Sequence, residues 1–166
     1  MKKLFITLVI SIFMQGCATT YQSNGYTGGY SETQLDENVF KVSFRGNGFT
    51  NSERTEDFTL LRSAELAIAN GYKYFVIVNG GTSISKSTHI TPTTYNTTAS
   101  VYGTGNYAYG TATTTQYGGQ SYNVSKPSTS NTIICFKDKP KDAMSYNANF
   151  IYKNIRKKYD IQSPIE

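Results

Sequence analysis

The chain has 166 residues, enough for one domain with a core of ordinary size. Only 16% of the residues are charged, and Tyr supplies 14 of the aromatic residues while Trp is absent, so the composition favours β-structure and polar loops over a helical bundle. The formal charge of +5 falls to about +3 if Lys2 and Lys3 belong to a removed segment, and this is too little to predict a nucleic-acid partner.

Residues 1–16 have the pattern of a secretory signal. Two lysines precede the apolar run LFITLVISIFM, which is shorter than the roughly 20 residues needed to span a bilayer. The run ends in M-Q-G-C, which resembles a bacterial lipobox, where Gly16 is the small residue before a cysteine that receives diacylglycerol. We therefore expect a cleaved signal peptide over residues 1–16 and a lipidated Cys17 carrying acyl chains such as palmitate, and a chance cysteine after an ordinary signal is the alternative.

Lipidation of Cys17 would determine where the protein is located in the cell. Several acyl chains on one cysteine hold a protein far more firmly than a single myristoyl group does. Residue 18 is Ala, and by resemblance to enterobacterial lipoproteins the absence of Asp there implies export to the outer membrane. We expect a protein of the bacterial cell envelope, anchored in the bilayer through acylated Cys17 and facing the periplasm.

Residues 17–37 are polar, rich in Gly and without a period, which predicts a flexible tether between the lipid and the domain. The folded domain is expected over residues 38–161. It opens with V-F-K-V-S-F-R, in which Phe40, Val42 and Phe44 alternate with polar residues, as in a half-buried strand.

A helix and a central strand are predicted next. Thr50 and Glu53 have capping-box spacing, and one apolar stripe follows, formed by Leu60, Leu61, Ala64, Ala67 and Ile68. Asn70-Gly71 predicts the end of this helix. Y-K-Y-F-V-I-V is apolar on both faces, as in a central strand, so this part of the chain forms a right-handed βαβ unit if its two strands are parallel.

Residues 82–131 form a Tyr/Thr/Gly-rich insertion whose only formal charges are Lys86 and Lys126. Tyr, Thr and Val favour extended backbone and the glycines interrupt it. Two interpretations stay open, a long polar β-hairpin and a disordered low-complexity segment.

The chain ends with another core strand and a helix. N-T-I-I-C-F-K places Ile133, Ile134, Cys135 and Phe136 in the strand. The helix is expected to begin near Ala143 and to bury a stripe formed by Met144, Ala148, Ile151, Ile155 and Tyr159. The predicted fold is a small α+β sandwich with two helices on one face of a three- to five-stranded sheet, in the order β-α-β-insertion-β-α.

No residue set predicts catalysis. His89 is the one histidine and lies in a polar segment, where a solvated side chain is the usual interpretation. Cys135, the one thiol left after lipidation, lies in an apolar strand and is predicted to be buried and inert. The sequence therefore predicts no catalytic residue, no metal site, no cofactor and no enzyme.

Two segments are candidate ligand or partner surfaces. Tyr102, Tyr107 and Tyr109 stand beside small polar residues, a composition used by adaptable binding surfaces. Lys153, Arg156 and Lys157 crowd the last turns of the final helix, where they could contact anionic headgroups, or simply complement the helix dipole from a solvated face.

One stretch is similar to a known group of proteins. F-R-G-N-G-F-T leads into a helix with R-S-A-E-L, and G-Y-K-Y-F follows. This order resembles small uncharacterised bacterial envelope lipoproteins with R-G-N-x-x-T, R-[AS]-A-E-L and G-Y-x-x-F motifs. The resemblance implies a family, a location in the cell envelope and a fold, and it implies no activity.

The sequence thus predicts a membrane-anchored lipoprotein with a non-enzymatic binding or structural role, with an envelope protein or a glycan as its partner. A sensory or assembly accessory factor of an envelope-stress or secretion system is the alternative. An enzyme acting on envelope components ranks third.

Overall fold

The computed structural model describes residues 18–162, so Cys17 and the predicted signal peptide lie outside the described residues. Within residues 18–162, seven strands and two helices follow in chain order: β1 Gly29–Asp36, β2 Val39–Arg45, α1 Ser52–Ala69, β3 Tyr74–Ile90, β4 Thr94–Thr104, β5 Tyr107–Tyr117, β6 Ser121–Phe136, β7 Tyr146–Asn147 and α2 Ala148–Lys158. The chain divides into two compact units, which we call the ribbon unit, Lys86–Val124, and the core unit, formed by the described residues on either side of it.

The core unit is built on a five-stranded sheet in the order β1-β2-β6-β3-β7. β2 is antiparallel to β1 and to β6, with Phe40 opposite Ile133. Side-chain bonds from Thr82 to Thr129 and from Ser83 to Ser128 show that β3 is also antiparallel to β6. β2 and β3 are therefore parallel, as the strand-helix-strand pattern allowed, but β6 lies between them, so they are not neighbours.

Both helices cover one face of this sheet, which confirms the predicted α+β sandwich. The alternating residues Phe40, Val42 and Phe44 of β2 are at most 3% exposed. They form two clusters with α1, α2 and the other strands, and the buried members of these clusters are also Phe58, Leu61, Ala64, Ala67, Phe75, Ile133, Cys135, Ala148 and Ile155. Ile134 and Phe136, which were expected in the core beside Ile133 and Cys135, project from the other face and are half-buried.

The boundaries of α1 differ from the prediction at one end. Asn51, not Thr50, caps the helix, and its side chain accepts a hydrogen bond from the backbone N–H of Arg54 at 2.9 Å. Thr50 is buried and bonds to the chain before β1 instead. The C-terminal end is as predicted, because Asn70 is the C-cap and Gly71 has a φ of 77°, a conformation that favours glycine.

The final helix begins later than predicted. Tyr146 and Asn147 pair with β3 as the short strand β7, and the Asn147 side chain then accepts a hydrogen bond from the backbone N–H of Phe150 to start α2. Residues 143–145 are outside the helix, so Met144 is 79% exposed and not part of the apolar stripe.

The flexible tether predicted over residues 17–37 is wrong for the residues that the structure describes. Gly29–Asp36 form β1, an edge strand of the core sheet. Upstream of it, the Thr19 backbone N–H donates to Thr50 Oγ1 at 2.9 Å, and Thr19 is 2% exposed. These residues fold because their polar groups find partners on β2 and α1, although the segment has almost no apolar period of its own.

The ribbon unit takes the first of the two forms considered for residues 82–131, a polar β-structure. β4 and β5 form a two-stranded antiparallel sheet in which every residue from Thr94 to Thr104 pairs in register with one from Tyr107 to Tyr117. All side chains of both strands are exposed. The ribbon therefore has a backbone ladder but no apolar core in its two long strands.

Candidate functional site

The core unit carries a groove of about 680 Å³, a volume within the usual range for ligand sites. We call it the tyrosine–arginine groove. It is lined by residues that precede β1, by β1 itself, by both helices and by the segment after α2, namely Tyr21, Tyr30, Arg62, Glu65, Leu66, Ile68, Ala69, Asn149, Tyr152, Arg156, Ile161 and Gln162.

Glu65 is the central polar group of the groove. Its Oε2 accepts hydrogen bonds from the Tyr21 hydroxyl at 2.5 Å and from Arg62 Nη1 at 2.9 Å. Its Oε1 lies 3.5 Å from Arg156 Nη1. One carboxylate of α1 therefore joins the segment before β1, α1 and α2.

Arg62 is held from three sides. Its Nη2 donates to Glu32 Oε1 of β1 at 2.7 Å, and its guanidinium stands 4.4 Å from the centre of the Tyr30 ring. Burial alone would lower the pKa of Arg62, but the hydrogen bonds to Glu32 and Glu65 raise it further than burial lowers it. Arg62 is thus a fixed cation in the wall of the groove.

Tyr21 is held in its neutral form. Burial raises the pKa of its hydroxyl first, and the hydrogen bond to Glu65 and the negative charge of that carboxylate raise it further. The hydroxyl is therefore a donor to Glu65 and is not a proton acceptor at physiological pH.

Arg156 is the least satisfied member of the groove. Its side chain is 8% exposed, and the guanidinium lies 5.0 Å from the centre of the Tyr152 ring. Among the described residues, no group accepts a hydrogen bond from its Nη2. Buried guanidinium donors are usually paired, so this Nη2 is an unsatisfied donor in the wall of the groove.

A second, smaller concavity of about 340 Å³ lies between α1 and the sheet. Hydroxyl groups cross it as a chain: Thr55 Oγ1 bonds to Thr129 Oγ1 at 2.8 Å, Thr129 to Thr82 at 2.9 Å, and Thr82 donates to the exposed carboxylate of Glu56 at 2.8 Å. The chain connects buried hydroxyls to the surface, which accounts for threonines in this part of the core.

The predicted surface residues lie in three environments: the ribbon, the exposed side of α2 and, for Arg156, the side of α2 that packs against α1. Tyr102, Tyr107 and Tyr109 lie together on one face of the ribbon, because Tyr102 is directly opposite Tyr109 and Tyr107 is opposite Thr104. They are 76%, 74% and 75% exposed. Lys153 and Lys157 are exposed on α2.

The burial of Arg156 contradicts the prediction that it belongs to a basic surface at the end of α2. Arg156 is only 7% exposed, because it lies on the face of α2 that packs against α1, where the carboxylate of Glu65 attracts it. Arg62 and Glu65, three residues apart on α1, form an ion pair at 2.9 Å that lies in the groove and not on an open helix surface.

The two residues tested for chemistry have ordinary surroundings. His89 is exposed and stacks on Tyr122 with ring centres 5.5 Å apart. Cys135 is 1% exposed, as predicted, and burial raises the pKa of its thiol to about 11. Within residues 18–162, no group of three or more His, Cys, Asp or Glu side chains is arranged to hold a metal ion.

Sequence patterns missed Tyr21, Tyr30 and Glu32 as members of the site. The face of β1 that carries Tyr30, Glu32 and Gln34 alternates with Ser31 and Thr33, but a polar alternation does not produce the hydrophobic period by which strands are recognised. The high β-propensity of Tyr and Thr was the one usable signal.

No protein-family model matches the chain, and no curated protein or solved structure is significantly similar to it. In the part of the chain that the structure describes, no helix has the length and apolar character needed to cross a membrane.

Proposed function

We propose that this protein is a membrane-anchored bacterial lipoprotein of the cell envelope, held by acylated Cys17 at the periplasmic face of the outer membrane, with a non-enzymatic binding role. The lipobox-like M-Q-G-C sequence supports the anchor. The tyrosine–arginine groove supports the binding role and is its proposed site.

One observation carries the binding role. The groove combines an apolar wall with a buried guanidinium whose Nη2 has no acceptor among the described residues. Among the described residues, its lining includes no Ser, Thr, Cys or His, and its one carboxylate, Glu65, is already bonded to Tyr21 and Arg62. Such a site favours retention of a ligand that has an apolar body and an acceptor oxygen, and it does not favour chemical conversion of that ligand.

The experiment places a photo-crosslinking amino acid in the full chain in its native membrane. Asn149 lines the groove and is exposed, so a probe there reaches any occupant. Asn154 is an exposed asparagine of the same helix outside the groove lining and is the matched control. We expect a discrete adduct at position 149 that is absent at 154, identified by mass spectrometry.

The adduct also separates the candidate roles. A glycan or an abundant envelope protein supports the binding role as proposed, whereas one partner from a signalling or secretion pathway favours the sensory or assembly alternative. Equal labelling at both positions, or none, would contradict the groove as the binding site.

The anchor has a separate test. Cys17→Ser is expected to abolish labelling by a palmitate analogue and to release the chain from membranes. A variant that stays labelled and membrane-bound would contradict lipidation at this cysteine, whatever the groove binds.

A further inference from the structure

The outer edge of β4 is an unpaired strand edge. β4 and β5 form a two-stranded sheet, so one edge of β4 bonds to β5 and the other has no strand partner in the part of the chain that the structure describes. This edge is 11 residues long, and all of its side chains are exposed. Its backbone N–H and C=O groups are a template for another strand.

In the core unit, the edge strand β1 has features that prevent pairing with a further strand. β1 carries Glu32 and Asp36 and has a register irregularity between Gln34 and Asp36. Part of its outer side is covered by the preceding segment, since Asn24 N–H donates to the Tyr30 carbonyl and Tyr30 N–H to the Gln22 carbonyl. Charges, bulges and covering segments are the usual means of preventing edge pairing.

In the part of the chain that the structure describes, β4 has no charge, no proline and no bulge. Residues 87–125 contain no Asp, Glu, Lys or Arg. β4 contains no Pro, and its ladder with β5 continues without a bulge. Two-stranded ribbons are marginally stable in water, and a third strand along the free edge adds main-chain hydrogen bonds.

We propose that β4 pairs edge to edge with β4 of a second copy of this chain, antiparallel about a two-fold axis near Ala99, to form a four-stranded sheet. This register pairs all 11 residues of the strand. It places Tyr95 opposite Gly103 of the other copy, where the ring covers the glycine, and Thr97 opposite Val101, a β-branched pair.

Self-complementarity favours a second copy as the occupant of this edge. An isologous pairing needs one strand that matches itself in reverse, and β4 does so with no charged residue facing a like charge. A strand from a different protein would need its own matching pattern, and nothing in β4 selects one by charge. The proposal concerns the ribbon unit alone and is independent of what the tyrosine–arginine groove binds.

The test uses disulfide formation by the full chain in membranes. Directly opposed residues of antiparallel strands have Cα atoms about 4.5–5.5 Å apart, within the range of disulfides. Ala99→Cys therefore places two thiols face to face across the axis. Ala112→Cys is the matched control, because Ala112 is the partner of Ala99 on β5 and is also exposed, but lies on the other strand of the ribbon.

We expect oxidation of Ala99→Cys to give a disulfide-linked dimer at least about tenfold above that of the wild-type chain, which carries the same Cys17 and Cys135. Ala112→Cys should stay near the wild-type background. No dimer above background, an equal yield from both variants, or a linkage of Ala99→Cys to a different protein would each overturn the proposal.

Charge substitutions test the predicted register without relying on yield alone. In the Ala99→Cys chain, Thr98→Lys with Ser100→Lys opposes like charges across the axis and should lower the dimer about fivefold. Thr98→Glu with Ser100→Lys opposes unlike charges and should retain the dimer. Equal loss in both double variants would contradict the antiparallel pairing, since only the sign of the facing charges differs.

Discussion

The core unit and the ribbon unit both contain antiparallel β-strands, but the apolar side chains are buried in the first and exposed in the second. β2 alternates large apolar residues with polar ones, and Phe40, Val42 and Phe44 are buried in core clusters that include residues of α1. β4 also has high β-propensity, yet Tyr95, Val101 and Tyr102 are 64%, 72% and 76% exposed. Propensity therefore suffices to predict an extended backbone, whereas burial requires an apolar face and a second layer to cover it.

The largest expected difference between the units is the cost of removing an aromatic ring. Phe58 is fully buried and packs edge-on against Phe44 and Tyr159, with ring centres 5.0 and 4.8 Å apart. Phe58→Ala should lower the free energy of unfolding by about 3–5 kcal/mol. Tyr102→Ala, which removes an exposed ring of the ribbon, should change it by less than about 0.5 kcal/mol.

Urea denaturation of the full chain, followed by circular dichroism, measures both effects. If Phe58→Ala does not fold, Phe58→Leu should still lower the free energy of unfolding by about 1–2 kcal/mol. Similar losses from the Phe58 and Tyr102 variants would contradict the contrast between a packed core and an uncovered ribbon.

The next effect concerns the charges of the groove. Glu65→Gln removes the carboxylate that faces buried Arg156, so an uncompensated guanidinium remains between the helices. We expect a loss of about 2–3 kcal/mol in the free energy of unfolding, because part of Glu65 is exposed and the penalty for a fully buried pair is larger.

Glu56→Gln is the control for this substitution. Glu56 is an exposed carboxylate of the same helix, and a glutamine oxygen still accepts the hydrogen bond from Thr82. Its free energy of unfolding should stay within about 0.5 kcal/mol of the wild type. A Glu65→Gln variant as stable as this control would show that Arg156 does not need its counter-charge.

The smallest expected effect is a dependence of stability on alkaline pH. The folded pKa of Tyr21 lies above the ordinary value of 10.0, so above that pH the unfolded chain loses this proton while the folded chain keeps it. The contribution of Tyr21 to stability is fully present below pH 10 and is lost as pH rises above it, by at most about 1.4 kcal/mol per pH unit.

Tyr21→Phe should make the loss of stability less steep above about pH 10, as measured by urea denaturation at each pH. The slope does not vanish, because burial also raises the pKa of Cys135 to about 11 and that of Tyr159 to about 12, the latter with help from a hydrogen bond to Asp57. Tyr102→Phe in the ribbon is the control and should leave the slope unchanged.

Local patterns in the sequence determined the elements that bury their own apolar residues. The alternation of β2, the stripe of α1, its end at Asn70-Gly71 and the burial of Cys135 all follow from neighbouring residues. These features were predictable because each residue's preference agrees with that of the residues two, three or four positions away.

Tertiary structure alone decided the elements whose stability comes from distant partners. β1 folds because Glu32 meets Arg62 and because its backbone pairs with β2. Helix α2 starts at Ala148, later than the local pattern predicts, because Tyr146 and Asn147 pair with β3. Arg156 is buried because the carboxylate of Glu65, on the facing helix, compensates its charge. A polar or charged residue is buried only where a partner from elsewhere compensates it, and such partners have no period along the chain.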